Sequence, residues 1–275
     1  MINSKALKIN RSGEVLFFIF PKIEAAGGCR HAFSSRLGGV SKGNCSSMSF
    51  GFSLGDDENN VKENYRIFCK ASGLDFSKLV LSQQTHTNNL RIVTEDDIGK
   101  GVWQKLDYSD IDGLITAKKG LVLVTQYADC TPLAFYDPIK KVVATSHAGW
   151  RGTVAEIAAK TVEMMVSQFG SDPRDIIVGI GPHISKCCYE VDAPVINEID
   201  RLPYLDKEKC YTKKGEDKYM LDLGEVNRQI LINSGVLEEN IDVSDLCTCC
   251  NSNIFHSHRA TKGKRGTLAL MICLE

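Results

Sequence analysis

The sequence predicts an α+β fold, a mixed α/β sandwich in which predominantly antiparallel or mixed sheets are flanked by helices. Three observations favour this class over a doubly wound parallel sheet. Short strand-like runs outnumber segments of helical period, some runs are joined by turns of hairpin length such as AKKG at 117–120, and no repeat or linker divides the chain. We therefore expect residues 1–275 to form a single domain.

Short apolar runs bounded by polar or glycine-containing segments predict the strands. They are VLFFIF (15–20), LVLSQQ (79–84), LRIVTE (90–95), GLIT (113–116), LVLVTQY (121–127), LAFY (133–136), VVATS (142–146), IIVGIG (176–181) and LALMICL (268–274). The first run is too short to span a bilayer and is followed by Pro21, so we expect a strand and not a membrane anchor.

Helical periodicity is clearest in TVAEIAAKTVEMMVSQF at 153–169, which Gly170 follows as a C-terminal stop. One apolar stripe is formed by Val154, Ile157, Ala158, Val162, Met165, Val166 and Phe169. Further helices are predicted at 58–73, 193–199 and 224–235. The lysine-rich stretch at 206–218 is expected to be an exposed excursion.

Charge and cysteine content restrict the classes of partner and compartment. With 33 basic and 34 acidic residues and no basic run, the chain is not expected to bind nucleic acid or an anionic membrane. Eleven cysteines without a secretion signal indicate a reducing compartment, in which thiols stay free or bind metal. We expect the protein to be cytoplasmic.

Cys130 and His147 lie on the two arms of a predicted β-hairpin, TPLAFYD followed by KKVVATSH. A turn at Pro138 and Ile139 places Cys130 directly opposite His147. Opposed residues hold their Cβ atoms about 4.5–5.5 Å apart, close enough for a thiolate and an imidazole to bind one metal ion or exchange a proton. The alternative is a core cysteine and a turn histidine without a shared function.

His86 follows another strand-like run and is the candidate third ligand. Three strand ends on one side of a sheet would bring His86, Cys130 and His147 together. Two histidines and one cysteine are a known zinc ligand set for sites that keep an open position. The sequence spacing alone does not establish that they meet.

A second group of thiols and imidazoles occurs in CTCCNSNIFHSHR at 247–259. Its spacing departs from the usual CxxC pairs apart from Cys247 with Cys250, so a strand-edge cluster without metal remains the alternative. The candidate ligands are Cys247, Cys249, Cys250, His256 and His258. The adjacent Cys187 and Cys188 are expected to be structural.

The segment HAGWRGTVAE at 147–156 is a candidate phosphate site. Gly149 and Gly152 would let the backbone approach a ligand closely, and the amide groups at the start of the following helix attract negative charge. Arg151 would add a charge-assisted contact, and Arg36, beside another Gly-Gly turn, would contribute likewise. The alternative is that both arginines are surface residues with packed stems.

Several blocks in this order carry a resemblance that spans nearly the whole chain. They are HAFSSRLGGVS (31–41), QTH (84–86), DIDGLIT (110–116), ADCTPLAFYD (128–137), HAGWRGT (147–153), IGPHISKCCYEV (180–191), YMLDLGEVNRQIL (219–231), CTCC and FHSHR. The chain resembles the YfiH-like or YlmD-like family, called multicopper polyphenol oxidoreductases or laccase-domain proteins and later assigned purine nucleoside phosphorylase activity. The resemblance implies a zinc site formed by His86, Cys130 and His147, and a fold similar in outline to some cysteine hydrolases.

The same resemblance implies the reaction and its partners, which are small-molecule purine nucleosides and phosphate. Adenosine, inosine and S-methyl-5′-thioadenosine would be cleaved by phosphate to the free base and a pentose 1-phosphate, with some adenosine deamination. Deamination requires a carboxylate that transfers protons, and no glutamate lies two residues after His86 or His147. Asp129 or Glu190 would serve only if the fold brings it near.

Three other functions remain open. Imidazole and thiolate also suit copper, so a laccase-like polyphenol oxidase using Cu²⁺ is one of them, although a chain with six histidines is poorly equipped for several copper centres. A cysteine hydrolase would use Cys130 as nucleophile and His147 as base. A binding module with a structural zinc ion would need a fourth ligand, for which Cys188, Cys250 and His258 are candidates.

Overall fold

The computed structural model describes residues 2–275, and each predicted apolar run contains a strand. The strands are β1 (Lys8–Ser12), β2 (Val15–Ile19), β3 (Cys29–Ser34), β4 (Leu79–Leu81), β5 (Leu90–Ile92), β6 (Gly113–Thr116), β7 (Val122–Tyr127), β8 (Thr131–Asp137), β9 (Val142–Ala148), β10 (Ile177–Ile180), β11 (Glu190–Asp192), β12 (Tyr211–Lys213), β13 (Lys218–Leu221), β14 (Ile241–Val243) and β15 (Leu268–Leu274). β1, β3 and β11–β14 have no counterpart among the predicted runs.

The helices confirm the segments predicted at 58–73, 193–199 and 224–235 within one or two residues at each end. They are α1 (Pro21–Ala26), α2 (Glu58–Ser72), α3 (Trp150–Val154), α4 (Ile157–Phe169), α5 (Ala193–Ile199), α6 (Lys207–Cys210), α7 (Leu223–Asn233) and α8 (His258–Thr261). None of the helices within residues 2–275 has the length and apolar character needed to cross a bilayer.

Two six-stranded sheets form the centre of the protein. The first has the order β1-β2-β3-β15-β7-β4, and the second has the order β14-β10-β8-β9-β6-β5. Strands β4 and β7, β5 and β6, and β10 and β14 pair in parallel, whereas the other pairs within these two sheets are antiparallel. The predicted α+β sandwich with mixed sheets is confirmed. A small third sheet, β11-β13-β12, lies outside the two large ones.

The central strands are apolar on both faces because each face is covered. In β8, Ala134 and Tyr136 belong to the core between the two sheets, whereas Leu133 and Phe135 pack with residues of α4, α5 and α7. In β7, Leu123 joins the central core and its neighbours pack with α2. The layers are therefore α2, first sheet, second sheet, and the group α4, α5 and α7.

The turn AKKG does not close a hairpin, contrary to the prediction. It connects β6, which pairs with β9 and β5 in the second sheet, to β7, which pairs with β15 and β4 in the first. The short turn after β7 then returns the chain to the second sheet at β8. Turn length alone did not distinguish a hairpin from a crossing between stacked sheets.

The helix predicted at 153–169 is interrupted. Glu156 adopts a left-handed conformation with φ of 57°, which separates α3 from α4. Before the break, the Thr153 hydroxyl accepts a hydrogen bond from Asn227 of α7 at 3.0 Å, which ties α3 to α7. Val166 was wrongly placed in the buried stripe, since it is 39% exposed, and the polar Thr161 is buried in contact with Ser146.

The lysine-rich stretch at 206–218 is only partly an exposed excursion. It contains α6, β12 and the start of β13, and its lysines are exposed or nearly so. Cys210 is fully buried in the core beneath it. The segment is therefore part of the small third sheet and covers one end of the outer helical layer.

Two buried histidines make the stability of the fold depend on pH. Burial lowers the pKa of His31 and of His256 from 6.5 to about 3. Each accepts a backbone hydrogen bond, from Phe20 N–H to His31 Nε2 and from Gly266 N–H to His256 Nδ1, which protonation would remove. Both histidines are therefore still neutral in the folded protein at pH values at which the same histidines of the unfolded chain become protonated.

We expect the free energy of unfolding to fall as the pH falls from about 6.5 to about 3, because only the unfolded state gains these protons in that window. Each histidine contributes at most about 1.4 kcal/mol per pH unit. When it is measured by urea unfolding across this range, the free energy of unfolding should fall less steeply with falling pH for His31→Gln than for the wild type. The exposed His258→Gln variant is the control, and equal slopes for all three proteins would contradict the assignment.

Candidate metal centre

His86, Cys130 and His147 meet where the two large sheets adjoin. Their ligand atoms all lie within 4.8 Å of one another. The Cys130 Sγ to His86 Nε2 distance is 3.9 Å, and the two imidazole ring centroids are 4.9 Å apart at an interplanar angle of 74°. We refer to these three residues as the ligand triad.

Contrary to the expectation from the sequence, the triad does not come from three strand ends of one sheet. His86 lies on the connection from β4 in the first sheet to β5 in the second, and Cys130 lies on the turn from β7 to β8. Only His147 belongs to a strand, β9. Two crossings between stacked sheets therefore bring the triad together.

The predicted hairpin register is wrong by two residues. His147 faces Pro132, and Cys130 lies just before the first residue of β8. The turn contains four residues, 138–141, and the Asp137 carboxylate accepts two of its backbone N–H groups at 2.8 and 2.9 Å. Because side chains alternate with period two, a shift by two leaves Cys130 on the same face as His147.

Asp112, which is not among the site residues predicted from the sequence, organises the triad. Its Oδ1 accepts the His147 Nδ1–H at 2.8 Å, which leaves Nε2 of that ring available. Its two oxygens also accept the backbone N–H groups of Thr85, His86 and Thr87 at 2.9–3.0 Å. One fully buried carboxylate thus orients one ligand and holds the loop that carries another. Its place directly before the strand GLIT was the available signal.

Two residues of the site have left-handed backbone conformations, which non-glycine residues rarely adopt. His86 has φ of 68° and Asp129 has φ of 84°. The hydrogen bond from its backbone N–H to Asp112 holds the conformation of His86. The conformation of Asp129 is held by its own side chain, whose oxygens accept hydrogen bonds from the Thr248 hydroxyl and the Arg259 backbone N–H, each at 2.7 Å. Such conformations persist where surrounding contacts determine them, commonly at functional sites.

The electrostatics of the triad favour a thiolate. Burial opposes ionisation, but His147 and His86 outweigh it and lower the pKa of Cys130 from 9.0 to about 6. Burial likewise opposes protonation of His147, yet Cys130 and Asp112 raise its pKa from 6.5 to about 9. A thiolate and two imidazoles are donors that Zn²⁺ prefers, and the carboxylate on the outer nitrogen of His147 is typical of a metal-binding histidine. The residues present therefore fit zinc.

Two predicted catalytic carboxylates have other contacts. Asp129 lines the cavity beside Cys130, but both of its oxygens already accept hydrogen bonds. Glu190 lies in β11 outside the cavity, where Lys214 Nζ donates to its Oε2 at 2.6 Å. Glu190 is therefore not a site residue in this structure, because the third sheet turns its carboxylate towards the lysine-rich hairpin.

The predicted phosphate contacts are only partly at the site. Arg36 donates to the backbone carbonyls of Ser46 and Ser252, and it does not line the cavity. Gly149 and Gly152 are closely approached by other protein atoms. A Cβ on Gly149 would lie 2.7 Å from His86 Cδ2, and one on Gly152 would lie 2.9 Å from the Thr87 carbonyl oxygen.

A cavity of about 750 Å³ opens beside the triad, within the usual range for small-molecule sites. All three ligands line it, together with the cations Arg151, Arg259 and Arg265. Arg151 was predicted, whereas Arg259 and Arg265 were missed, because Arg259 ends the cysteine-rich segment and Arg265 follows it, neither in a recognisable anion-binding pattern. Asp129 is the single acidic residue among those lining the cavity.

The second predicted cluster is not formed as a unit. His256 is buried, and its Nε2 donates to the Met48 carbonyl oxygen at 3.0 Å. His258 lines the cavity instead. Cys247 and Cys250 lie together with Cys187 and Cys188, whereas Cys249 is outside that group.

This combination of fold and site is typical of an enzyme that holds a metal ion beside a substrate cavity. A family model described as multi-copper polyphenol oxidoreductase laccase matches residues 30–275, and the chain belongs to this family. The predicted relationship to YfiH-like and YlmD-like proteins is confirmed.

Sequence relatives carry the name of an enzyme. Purine nucleoside phosphorylase YlmD of Bacillus subtilis (strain 168) is 37% identical over 244 residues, covering 88% of this chain and 87% of that protein. Purine nucleoside phosphorylase of Bacteroides thetaiotaomicron is 30% identical over 239 residues, covering 86% and 88%.

Two solved structures have the same fold as this chain over nearly its whole length. The Bacillus licheniformis hypothetical protein YfiH has a TM-score of 0.91 at 35% identity, covering 98% of this chain and 100% of that one. YlmD from Geobacillus stearothermophilus has a TM-score of 0.89 at 32% identity, covering 98% and 99%.

We expect Asp112→Asn to lower the affinity for Zn²⁺ by about 10–100-fold, because the amide places N–H groups where the carboxylate accepts them and no longer orients His147. The unmatched donors should also lower the free energy of unfolding by about 1–3 kcal/mol. Competition with a chromophoric chelator and urea unfolding measure the two effects. Asp217→Asn, an exposed change of the same chemistry, should alter neither. Unchanged zinc affinity in Asp112→Asn would refute the orienting role.

Gly149→Ala should weaken zinc binding by about 10-fold or more while leaving the fold intact. The new methyl group would lie 2.7 Å from His86 Cδ2 and 3.3 Å from Cys130 Sγ, so the His86 ring must move. The backbone itself tolerates alanine, since φ is −70°. Gly215→Ala is the matched control, because its nearest neighbour would be 3.9 Å away. Equal zinc affinities in the two variants would show that His86 does not need its present position.

Proposed function

We propose that this protein is a zinc-dependent purine nucleoside phosphorylase. Its substrates would be adenosine, inosine and S-methyl-5′-thioadenosine, which phosphate would cleave to the free base and ribose or methylthioribose 1-phosphate. The observation that carries the proposal is the triad on the wall of a cavity of nucleoside size that three arginines line. The names of the sequence relatives support the same reaction.

His86, Cys130 and His147 would hold the zinc ion. When bound, Zn²⁺ supplies a Lewis acid that polarises an electronegative atom of the substrate. Asp112 would keep the His147 ring in the orientation that presents Nε2. Three protein ligands, and no fourth donor within this group among residues 2–275, leave a position open towards the cavity.

The arginines would bind phosphate. Arg151 packs over the Trp150 ring at 4.4 Å, and Arg259 is held by its bonds to the carbonyl oxygens of Cys188 and Glu190. Arg265 also lines the cavity, and its Nη1 donates to the Gly266 carbonyl oxygen at 3.3 Å. A guanidinium group binds phosphate through two parallel hydrogen bonds. With a single acidic residue in the cavity wall, the local field favours a dianion.

Phosphorolysis requires a phosphate oxygen to bond to C1′ of the sugar while the C1′–N9 bond breaks and its electron pair leaves with the purine. The arginines would neutralise and orient the attacking phosphate, an electrostatic contribution in a partly buried site. Trp150 and Tyr189 line the same cavity and offer aromatic faces for the purine. The arginines and the two aromatic side chains would have the same roles whichever nucleoside is preferred.

Adenosine deamination belongs to the proposal only as a side activity. It needs a carboxylate that transfers protons next to the purine amino group. Glu190 is outside the cavity, and both oxygens of Asp129 already accept hydrogen bonds. The same cavity wall therefore favours phosphorolysis as the main reaction.

A cysteine hydrolase is the second candidate, because Cys130, His147 and Asp112 have the order of a nucleophile, a base and an orienting carboxylate. Zinc bound to the same sulfur would suppress attack by Cys130. A multicopper oxidase is disfavoured because histidine occurs in only one of the two groups of metal donors within residues 2–275. A four-ligand structural site at the triad is disfavoured because, of the three candidate fourth ligands, Cys188 and Cys250 belong to the other group and His258 belongs to neither.

We propose the cytoplasm as the compartment. All eleven cysteines are free thiols, and the thiolate that the triad needs persists in a reducing environment. Small-molecule nucleosides and phosphate are the proposed partners, without nucleic acid or membrane.

The test is incubation of protein of known metal content with adenosine and phosphate. We expect adenine and ribose 1-phosphate in equal amounts, with a rate that depends on phosphate. His86→Gly should lower the rate by more than about 100-fold, because losing a ligand costs more than losing its outer hydrogen-bond partner. Added imidazole should restore part of the activity, since His86 is exposed and a small molecule can enter its place.

Chromatography of adenosine, adenine, inosine and ribose 1-phosphate separates the alternative reactions. Inosine as the sole product would replace phosphorolysis by deamination. Adenine released without any phosphate requirement, or full activity in zinc-free protein, would refute the proposal and favour a hydrolase. Activity that appears only with copper and a phenol would favour the oxidase.

A further inference from the structure

Four cysteines outside the cavity form a second compact group. Cys187 and Cys188 end a turn before β11, and Cys247 and Cys250 lie in the loop after β14. The Sγ atoms of Cys187 and Cys250 are 3.5 Å apart, those of Cys188 and Cys250 are 3.3 Å apart, and those of Cys187 and Cys188 are 3.8 Å apart. All four Sγ atoms lie within 4.8 Å of one another.

We propose that Cys187, Cys188, Cys247 and Cys250 bind a structural zinc ion. Four sulfurs around Zn²⁺ at about 2.3 Å in a tetrahedron lie about 3.8 Å from one another, close to the spacings found here. A disulfide would join only one pair, at about 2.05 Å, and would not account for three sulfurs that are all mutual neighbours. The site is distinct from the triad and does not depend on the proposed catalytic function.

The backbone around the four sulfurs is arranged as in a ligand-presenting turn. The N–H groups of Cys188 and Tyr189 donate to the Ser185 carbonyl oxygen at 2.9 and 3.0 Å. The side chain of Asn251 donates to the Cys247 carbonyl oxygen at 2.9 Å. The Ser185 N–H points at Cys247 Sγ, at 3.4 Å, a contact that stabilises a thiolate. Two tight turns therefore present two sulfurs each.

Positive charge lies beside the group. Arg259 donates to the Cys188 carbonyl oxygen at 3.1 Å. A zinc ion with four thiolates carries a net charge of −2, which this cation offsets in part. Tetrahedral coordination by four sulfurs selects zinc or iron, and the closed set of protein ligands corresponds to a structural zinc site.

The ion would join two distant segments that form the cavity wall. His183 and Cys247 make a β-bridge, and the Thr248 N–H donates to the His183 carbonyl oxygen at 2.9 Å. Asp129 contacts both segments, because its carbonyl oxygen accepts the Ile184 N–H and its side chain accepts the Thr248 hydroxyl. The zinc ion would therefore support the turn that carries Cys130.

None of the four sulfur ligands lines the cavity, whereas Ile184 and Tyr189, on either side of the first cysteine pair, do. With four protein ligands the ion would have no position open for a substrate. Its contribution would be to folding and to the position of the cavity wall, as in small domains in which metal binding supplies folding free energy.

The test is metal analysis of purified wild type, Cys187→Ser/Cys250→Ser and Cys249→Ser. The same cysteine changes are also made in a His86→Ala protein, which lacks a triad ligand. We expect about one zinc per chain in His86→Ala alone and in His86→Ala with Cys249→Ser, and nearly none in His86→Ala with Cys187→Ser/Cys250→Ser. Zinc content unaffected by Cys187→Ser/Cys250→Ser, or stoichiometric iron in place of zinc, would overturn the proposal.

A second measurement uses the unmodified chain, in case the double variant does not fold. Exposed Cys250 should react readily with iodoacetamide after chelation and resist it once Zn²⁺ is restored, while Cys249 reacts alike in both states. Loading with Co²⁺ should produce the intense visible bands of a tetrahedral tetrathiolate. Equal alkylation with and without zinc, or a disulfide between Cys188 and Cys250 detected by mass spectrometry, would refute the site.

Discussion

The buried Asp112 carboxylate is the interaction on which the candidate metal centre depends. It stands directly before β6, which lies next to β9 in the second sheet and whose first residue, Gly113, pairs with Ser146. From there it accepts the His147 ring N–H and three consecutive backbone N–H groups of the loop that bears His86. Loss of this acceptor would leave several buried donors without partners, each a substantial cost. Orientation of one ligand and conformation of the other are thus determined together.

The position of the site follows from how the two large sheets are connected. The chain crosses between them after β4, β6, β7 and β14, and the crossings after β4 and β7 carry His86 and Cys130. Because β4, β7 and β8 are buried on both faces, they form a rigid support for the short loops that follow or precede them. Asp129 extends this support, since its contacts link the Cys130 turn to the two segments that present the four-cysteine group.

Much of this arrangement was predictable from local patterns, and the errors have a common physical cause. Apolar runs located the central strands because burial on both faces leaves a continuous signal, while strands such as β12 and β13 are short and half exposed. The hairpin register was wrong by two, so Pro132 and not Cys130 pairs with His147, yet the Cys130 sulfur still lies close to the His147 ring. Arg36 and Glu190 were misassigned because their hydrogen-bond partners, Ser252 and Lys214, are distant in sequence or belong to another hairpin.

The sequence by itself determined the fold class, most central strands and helices, and the residue types of the triad, since periodicity and donor chemistry are properties of short segments. Only the tertiary structure decided which groups meet. Asp112 lies 35 positions before His147, and Cys188 lies 62 positions before Cys250. Contacts of this range depend on sheet order and on the crossings between layers, which local propensity does not encode. The carboxylate beneath the triad and the second group of sulfurs therefore became visible only in the folded chain.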